Sequence, residues 1–102
     1  MQAKIWNEAD FITGIEDKHI KDFFEKLLLD SNFNICGFMD KVFTPQGYTA
    51  IWLLCESHLA VHTFPESNKI YYELASCNKK KYTKFCNLLN YHYENIIKSW
   101  QK

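Results

Sequence analysis

Apolar residues recur at two spacings along this chain, and the change from one to the other divides it into elements. Over residues 16–31, EDKHIKDFFEKLLLDS, the positions Ile20, Phe23, Phe24, Leu27 and Leu28 fall at i, i+3, i+4, i+7 and i+8. That is the single stripe of an amphipathic helix. Thr13 with Glu16, or Asp17 alone, offers capping chemistry at its start. From Asn32 the period shortens. FNICGFMDKVF, YTAIWLLC, SHLAVHTF and KIYYELAS, at 33–43, 48–55, 57–64 and 69–76, are β-rich runs. Thr44-Pro45-Gln46-Gly47 and Pro65-Glu66-Ser67-Asn68 punctuate them as turns. Helical spacing returns in KKKYTKFCNLLNYHY, residues 79–93, where Tyr82, Phe85, Cys86, Leu89 and Tyr93 share one face. Cys86 on that stripe reads as a small core residue. Two weaker segments, AKIWNEADF at 3–11 and NIIKSW at 95–100, read as a first and a last strand. The order predicts an α/β (α+β) two-layer sandwich, an antiparallel sheet with two helices packed on one face. The other face is left open to a partner subunit.

Composition narrows the class. A chain of 102 residues, 47% hydrophobic and 17% aromatic, is one domain over residues 1–102 with enough apolar surface to fold. Twelve basic residues balance twelve acidic ones, which gives no support for a nucleic-acid or membrane-surface partner. Lys79-Lys80-Lys81 is the one basic run and reads as a solvated helix start. No stretch approaches the roughly 20 apolar residues of a membrane span. The opening MQAKIWNEAD lacks the apolar stretch of a signal peptide. Cysteines at 36, 55, 77 and 86 form no C-x-x-C pair and no zinc spacing, so reduced thiols in a cytoplasmic protein are expected.

The chemistry concentrates in LLCESHLAVHTFPE, residues 53–66, an apolar run interrupted by a carboxylate, a hydroxyl and two imidazoles. His58 and His62 would suit a metal on a helix. Val61, Thr63 and Pro65 argue for a strand, where four residues span roughly 13 Å, too far for two ligands at about 2 Å from one ion. Ser57 has no G-x-S-x-G elbow, and a serine with a histidine is a weak hydrolase signal. The spacing itself is more informative. Glu56-Ser57-His58, then His62-Thr63-Phe64-Pro65-Glu66, then Cys77, resembles the processing motif of the bacterial-type S-adenosylmethionine decarboxylases. Upstream, Phe43, Pro45, Gly47 and Thr49 match that family's Phe-x-Pro-x-Gly-x-Ser/Thr pattern, so about 35 residues carry the resemblance.

The resemblance implies a pyruvoyl enzyme that makes its cofactor from Ser57. Ser57 attacks the Glu56 carbonyl in an N-to-O acyl shift, elimination breaks the chain between the two residues, and the pyruvoyl group heads the fragment beginning at 57. His62 matches the residue handling protons during processing, and Thr49 a hydroxyl assisting it. In turnover the cofactor forms a Schiff base with the substrate amine and accepts electrons as carbon dioxide leaves. Cys77 matches the acid that reprotonates the α-carbon. Cys36 and Cys55 match nothing and read as core. The implied substrate is S-adenosylmethionine, decarboxylated to supply aminopropyl groups for spermidine synthesis. Phe43 and Phe64 are candidates to stack on its purine or face its sulfonium, or else are core aromatics. Glu66 could bind ribose or simply end a strand.

Strand parity sets a condition on this chemistry. In an unbroken strand Ser57 and His62 face opposite ways, roughly 16 Å apart. They cooperate only if the chain turns sharply near Glu56-Ser57, or if His62 acts across the interface of a homodimer. The segment before Phe43 departs from the family pattern, and Ser76 and Asn78 flank Cys77 where the family has Thr and Gly. These departures touch the substrate pocket. Ornithine or arginine decarboxylation, and an unprocessed paralogue serving as a binding partner, are therefore the rival functions.

Overall fold

In a computed structural model, residues 4–100 are described, with side chains from Lys4 to Glu94. Five strands, β1 (Trp6–Ile12), β2 (Gly37–Val42), β3 (Tyr48–Leu54), β4 (Ser57–Phe64) and β5 (Lys69–Ser76), form one sheet. Its order is β1-β5-β4-β3-β2, and every pairing is antiparallel. Two helices, α1 (Asp17–Asp30) and α2 (Lys79–Trp100), complete the expected two-layer sandwich.

Alternation along the central strands decides what the helices cover. Ala50, Trp52 and Leu54 of β3, Leu59 and Val61 of β4, and Ile70, Tyr72 and Leu74 of β5 point inward and are buried. They share one core with Ile20, Phe24, Leu27 and Leu28 of α1 and Phe85 and Leu89 of α2. These are the stripe residues expected from helical spacing, with Phe23 half-buried at the margin.

The polar residues around this core are tied in. The Tyr48 amide donates to the Thr63 hydroxyl (2.9 Å), which donates to the Asp17 carboxylate (3.1 Å). The Trp52 indole N–H reaches Glu25 at 3.2 Å. Asp17 is thus engaged with the sheet, and the capping expected of it or of Thr13 with Glu16 does not occur. Glu16 sits at the N-cap with no side-chain capping bond. The other end of α1 closes on a Schellman arrangement. Phe33 N–H bonds Leu28 C=O and Asn32 N–H bonds Leu29 C=O, both at 3.0 Å, with Asn32 left-handed at φ 69°.

Two expectations about elements fail. The run 33–43 contributes strand only from Gly37, because Phe33 is occupied in ending α1. NIIKSW is not a strand but the last part of α2, which runs unbroken from Lys79 to Trp100. No Gly or Pro separates it from the preceding helix, and extending a helix costs far less than starting a new element. The β-branched pair Ile96-Ile97 is only weakly disfavoured there. Ala3 of the first expected strand lies outside the described residues. No helix among the described residues is long and apolar enough to cross a membrane.

Phe24, fully buried with its ring 6.0 Å from that of Tyr72, should be costly to truncate. Phe24→Ala is expected to remove about 3–5 kcal/mol of stability in urea denaturation. Leu29→Ala, on the exposed side of the same helix, should change it by no more than about 0.5 kcal/mol. Equal effects would contradict the packing described.

Candidate active site at the β3–β4 hairpin

β3 and β4 are joined by two residues, Cys55 and Glu56, with Leu54 paired to Ser57 across the turn. The sharp corner expected near Glu56-Ser57 is therefore present. Glu56 adopts φ 68°, a left-handed conformation costing a non-glycine residue roughly 1–2 kcal/mol. Two-residue hairpins usually put both residues at positive φ, and here only the second is. The backbone strain sits on the amino side of the Glu56–Ser57 peptide.

Pairing between β4 and β5 brings Cys77 to the same place. His58 lies opposite Ala75, so the residue just past the end of β5 meets the start of β4. The Cys77 N–H donates to Ser57 Oγ at 3.2 Å, and Cys77 Sγ lies 3.8 Å from that oxygen and 3.7 Å from a Glu56 carboxylate oxygen. Asn78 fixes the chain beyond. Its N–H donates to Ser76 Oγ at 3.0 Å, and its side-chain oxygen accepts the Lys81 N–H at 3.0 Å, capping α2. The asparagine that departs from the family pattern is thus the residue that starts the helix behind Cys77. A cavity of about 200 Å³ opens here, lined by Asn34, Glu56, Ser57, Cys77, Asn78 and Lys81 among others. Lys81 and Asn34 were not singled out from the sequence. Lys81 was hidden in a run that reads as solvated, and the end of α1 rather than any motif delivers Asn34.

His62 is elsewhere. It pairs with Thr49 across β3–β4, its Nδ1 2.9 Å from the Thr49 hydroxyl and its ring stacked 6.3 Å from that of Tyr71. β4 is continuous from Ser57 to Phe64, so His62 follows Ser57 by five positions, an odd offset, and their side chains leave opposite faces. The corner does not bring them together within one chain. Phe43, Phe64 and Glu66 lie toward the His62 end of the sheet and do not line the Ser57 cavity. Phe43 and Phe64 are 44% and 40% exposed, which removes the core alternative for both. Glu66 accepts a hydrogen bond from Gln46 at 3.2 Å.

The cysteines also differ from expectation. Cys36 and Cys55 are neither buried nor reduced; both are exposed and joined as a disulfide. The reason is register. Gly37 pairs with Leu53, which sets Cys36 opposite Leu54 and so diagonal to Cys55, the residue after β3. Cys86 is half-buried rather than fully core, 3.6 Å from the Glu8 carboxylate. Burial, with that carboxylate beside it, pushes its thiol up to about 11. Alkylation of Cys86 should therefore be slow at pH 8, its thiolate about a hundredfold scarcer than for an ordinary thiol, and should rise roughly tenfold per pH unit. Glu8→Gln removes negative charge, lowers that pKa and should speed labelling. A pH-independent rate would refute the assignment.

A family model described as S-adenosylmethionine decarboxylase matches residues 9–95. The S-adenosylmethionine decarboxylase proenzyme of Clostridium kluyveri is 33% identical over 64 residues, 59% of this chain and 51% of its own. That of Prochlorococcus marinus is 42% identical over 48 residues, 46% of this chain and 39% of its own. The chain thus spans about half the length of the curated relatives it matches, or less. The crystal structure of the adenosylmethionine decarboxylase from Aquifex aeolicus superposes with a TM-score of 0.75 at 17% identity, covering 92% of this chain and 83% of that one, a likeness of fold.

Proposed function

Since the chain belongs to the S-adenosylmethionine decarboxylase family, we propose that it is a proenzyme that cleaves itself between Glu56 and Ser57 and then decarboxylates S-adenosylmethionine, supplying aminopropyl groups for spermidine synthesis. The observation that carries this reading is the left-handed Glu56 immediately before a serine whose Oγ is already hydrogen-bonded by the Cys77 amide. Strain at the junction raises the energy of the intact peptide relative to the transition state.

In self-cleavage, Ser57 Oγ bonds to the Glu56 carbonyl carbon and the Glu56–Ser57 C–N bond breaks, giving an ester and a free amine. Loss of the Ser57 α-proton then expels the Glu56 carboxylate from Cβ. The dehydroalanine takes up water and releases ammonia, leaving a pyruvoyl group at position 57. The residues present fit that group: position 57 faces a polar cavity, with the Cys77 N–H in reach of an oxygen there. When formed, the ketone supplies an electron sink for the pair left behind as carbon dioxide departs. Cys77, which lines the same cavity with its sulfur 3.8 Å from Ser57 Oγ, holds the proton returned to the substrate carbon. The Glu56 carboxylate favours a cationic substrate.

His62 and Thr49 complete the site from a second copy of the chain. The sheet face away from the helices carries them amid exposed apolar side chains, Met39 (74%), Leu53 (56%) and Phe11 (53%) among them. An antiparallel sheet with an apolar open face is suited to packing on another sheet. Because Ser57 leaves the helix-covered face, His62 of one copy meets the other's Glu56–Ser57 junction at the hairpin tip, where that peptide lies at the end of the ladder and clear of either face.

Intact mass of the purified wild type should show two fragments, the later one beginning with pyruvoyl, and Ser57→Ala should show none. His62→Ala should slow cleavage by about 10²–10⁴. Carbon dioxide should be released from S-adenosylmethionine and not from ornithine or arginine. Co-expression of Ser57→Ala with His62→Ala separates the two arrangements of the site. Fragments from the His62→Ala chain are expected if histidine acts in trans, and their absence would return it to the same chain. A wild type that stays one species with no trappable carbonyl would sink the proposal.

A further inference from the structure

The disulfide lies beside the bond proposed to break. Cys55 is the residue just before Glu56 and opens the two-residue reversal, while Cys36 immediately precedes β2. Their Cα atoms are 6.1 Å apart, within ordinary bridging range. The approach is imposed by the backbone: Cys36 N–H donates to Leu53 C=O at 2.7 Å, and Cys55 N–H points at Cys36 Sγ at 3.3 Å. Both residues are exposed, so small thiols and disulfides can reach them. Cys55 borders the Ser57 cavity, and neither cysteine enters the chemistry assigned to Ser57, His62 or Cys77.

We propose that Cys36 and Cys55 are a reversible thiol–disulfide modification site, oxidised by low-molecular-weight disulfides, and that its oxidation state sets the rate of cleavage at Glu56–Ser57. One cysteine thiolate attacks the small disulfide, releasing one thiol and leaving a mixed disulfide. The second cysteine displaces the other thiol and closes the bridge. Two electrons pass from the cysteines to the small disulfide, and the two cysteine protons leave with the two released thiols. Reduction runs the same exchange backwards.

The effect on cleavage follows from what the bridge holds. Glu56 is left-handed within a two-residue turn at the end of a ladder, where pairing is weakest. Tying Cys55 to the start of β2 removes backbone freedom from the residue before Glu56. More chains then present the Glu56 carbonyl to Ser57 Oγ. Restricting about one residue's backbone predicts cleavage roughly 5- to 30-fold faster in the oxidised form. Both cysteines precede the break, so the bridge does not link the two fragments, which should separate without reductant.

The bridge itself can be tested apart from the cleavage reading on which its consequence rests. In Ser57→Ala, titration with glutathione disulfide should yield a peptide joining Cys36 to Cys55, and excess dithiothreitol should remove it. Wild-type chain made by cell-free synthesis in glutathione or in glutathione disulfide should cleave at different rates, the oxidised faster. Cys36→Ser should cleave at one rate in both, that of the reduced wild type, even though the exposed Cys77 still meets the oxidant. Absence of the joined peptide, or equal rates for wild type in the two buffers, overturns this inference and leaves the proenzyme reading standing. A bridge that forms with no fragments in either buffer overturns the proenzyme reading, and this control with it.

Discussion

The reversal between β3 and β4 is the constraint from which the placement of every reactive group follows. Two residues must turn the chain between strands already locked in register, and Glu56 takes the left-handed conformation as a result. Ser57 is thereby the first residue of β4, beside the end of β5, where the Cys77 amide finds its oxygen. The same ladder, alternating strictly from Ser57, sends His62 and Thr49 out of the opposite face. One geometric fact gathers Ser57 with Cys77 and sends His62 with Thr49 to the other face.

What surrounds the hairpin stiffens it through hydrogen bonds. Asn78 joins the end of β5 to the start of α2 through two hydrogen bonds, so Cys77 hangs between two anchored elements. At the far end of β4, Thr63 links Tyr48 to Asp17 and so connects the sheet to the first turn of α1. Burial, together with the Asp40 carboxylate that its hydroxyl donates to at 2.7 Å, raises the Tyr48 phenol and keeps it a neutral donor. These bonds lie at sheet ends, where strand pairing alone would be weakest.

Much of this is legible in the sequence. The stripes of α1 and α2 and the alternation of β3 to β5 are local signals, and burial follows them residue by residue. The spacing of Glu56, Ser57, His62 and Cys77 was equally plain, because typed positions at fixed offsets survive large changes elsewhere. The failures share a cause. NIIKSW reads as strand by its own composition, and only the helix running into it decides otherwise. Cys36 and Cys55 meet because β2 and β3 pair in one register, which a separation of 19 residues cannot encode. The separation of His62 from Ser57 depends on where the corner falls, one residue before the strand and not within it.

Strand order carries a consequence of its own. Residues up to Glu56 contain β1, α1, β2 and β3, while those from Ser57 contain β4, β5 and α2. Because the sheet runs β1-β5-β4-β3-β2, the later half is clasped between two strands of the earlier half. Letting it go would mean unzipping seven register pairs against β1 and six against β3 together. A cut after Glu56 severs a connection that neither clasp depends on, so the sheet can give up a covalent link at a strained turn and keep its architecture.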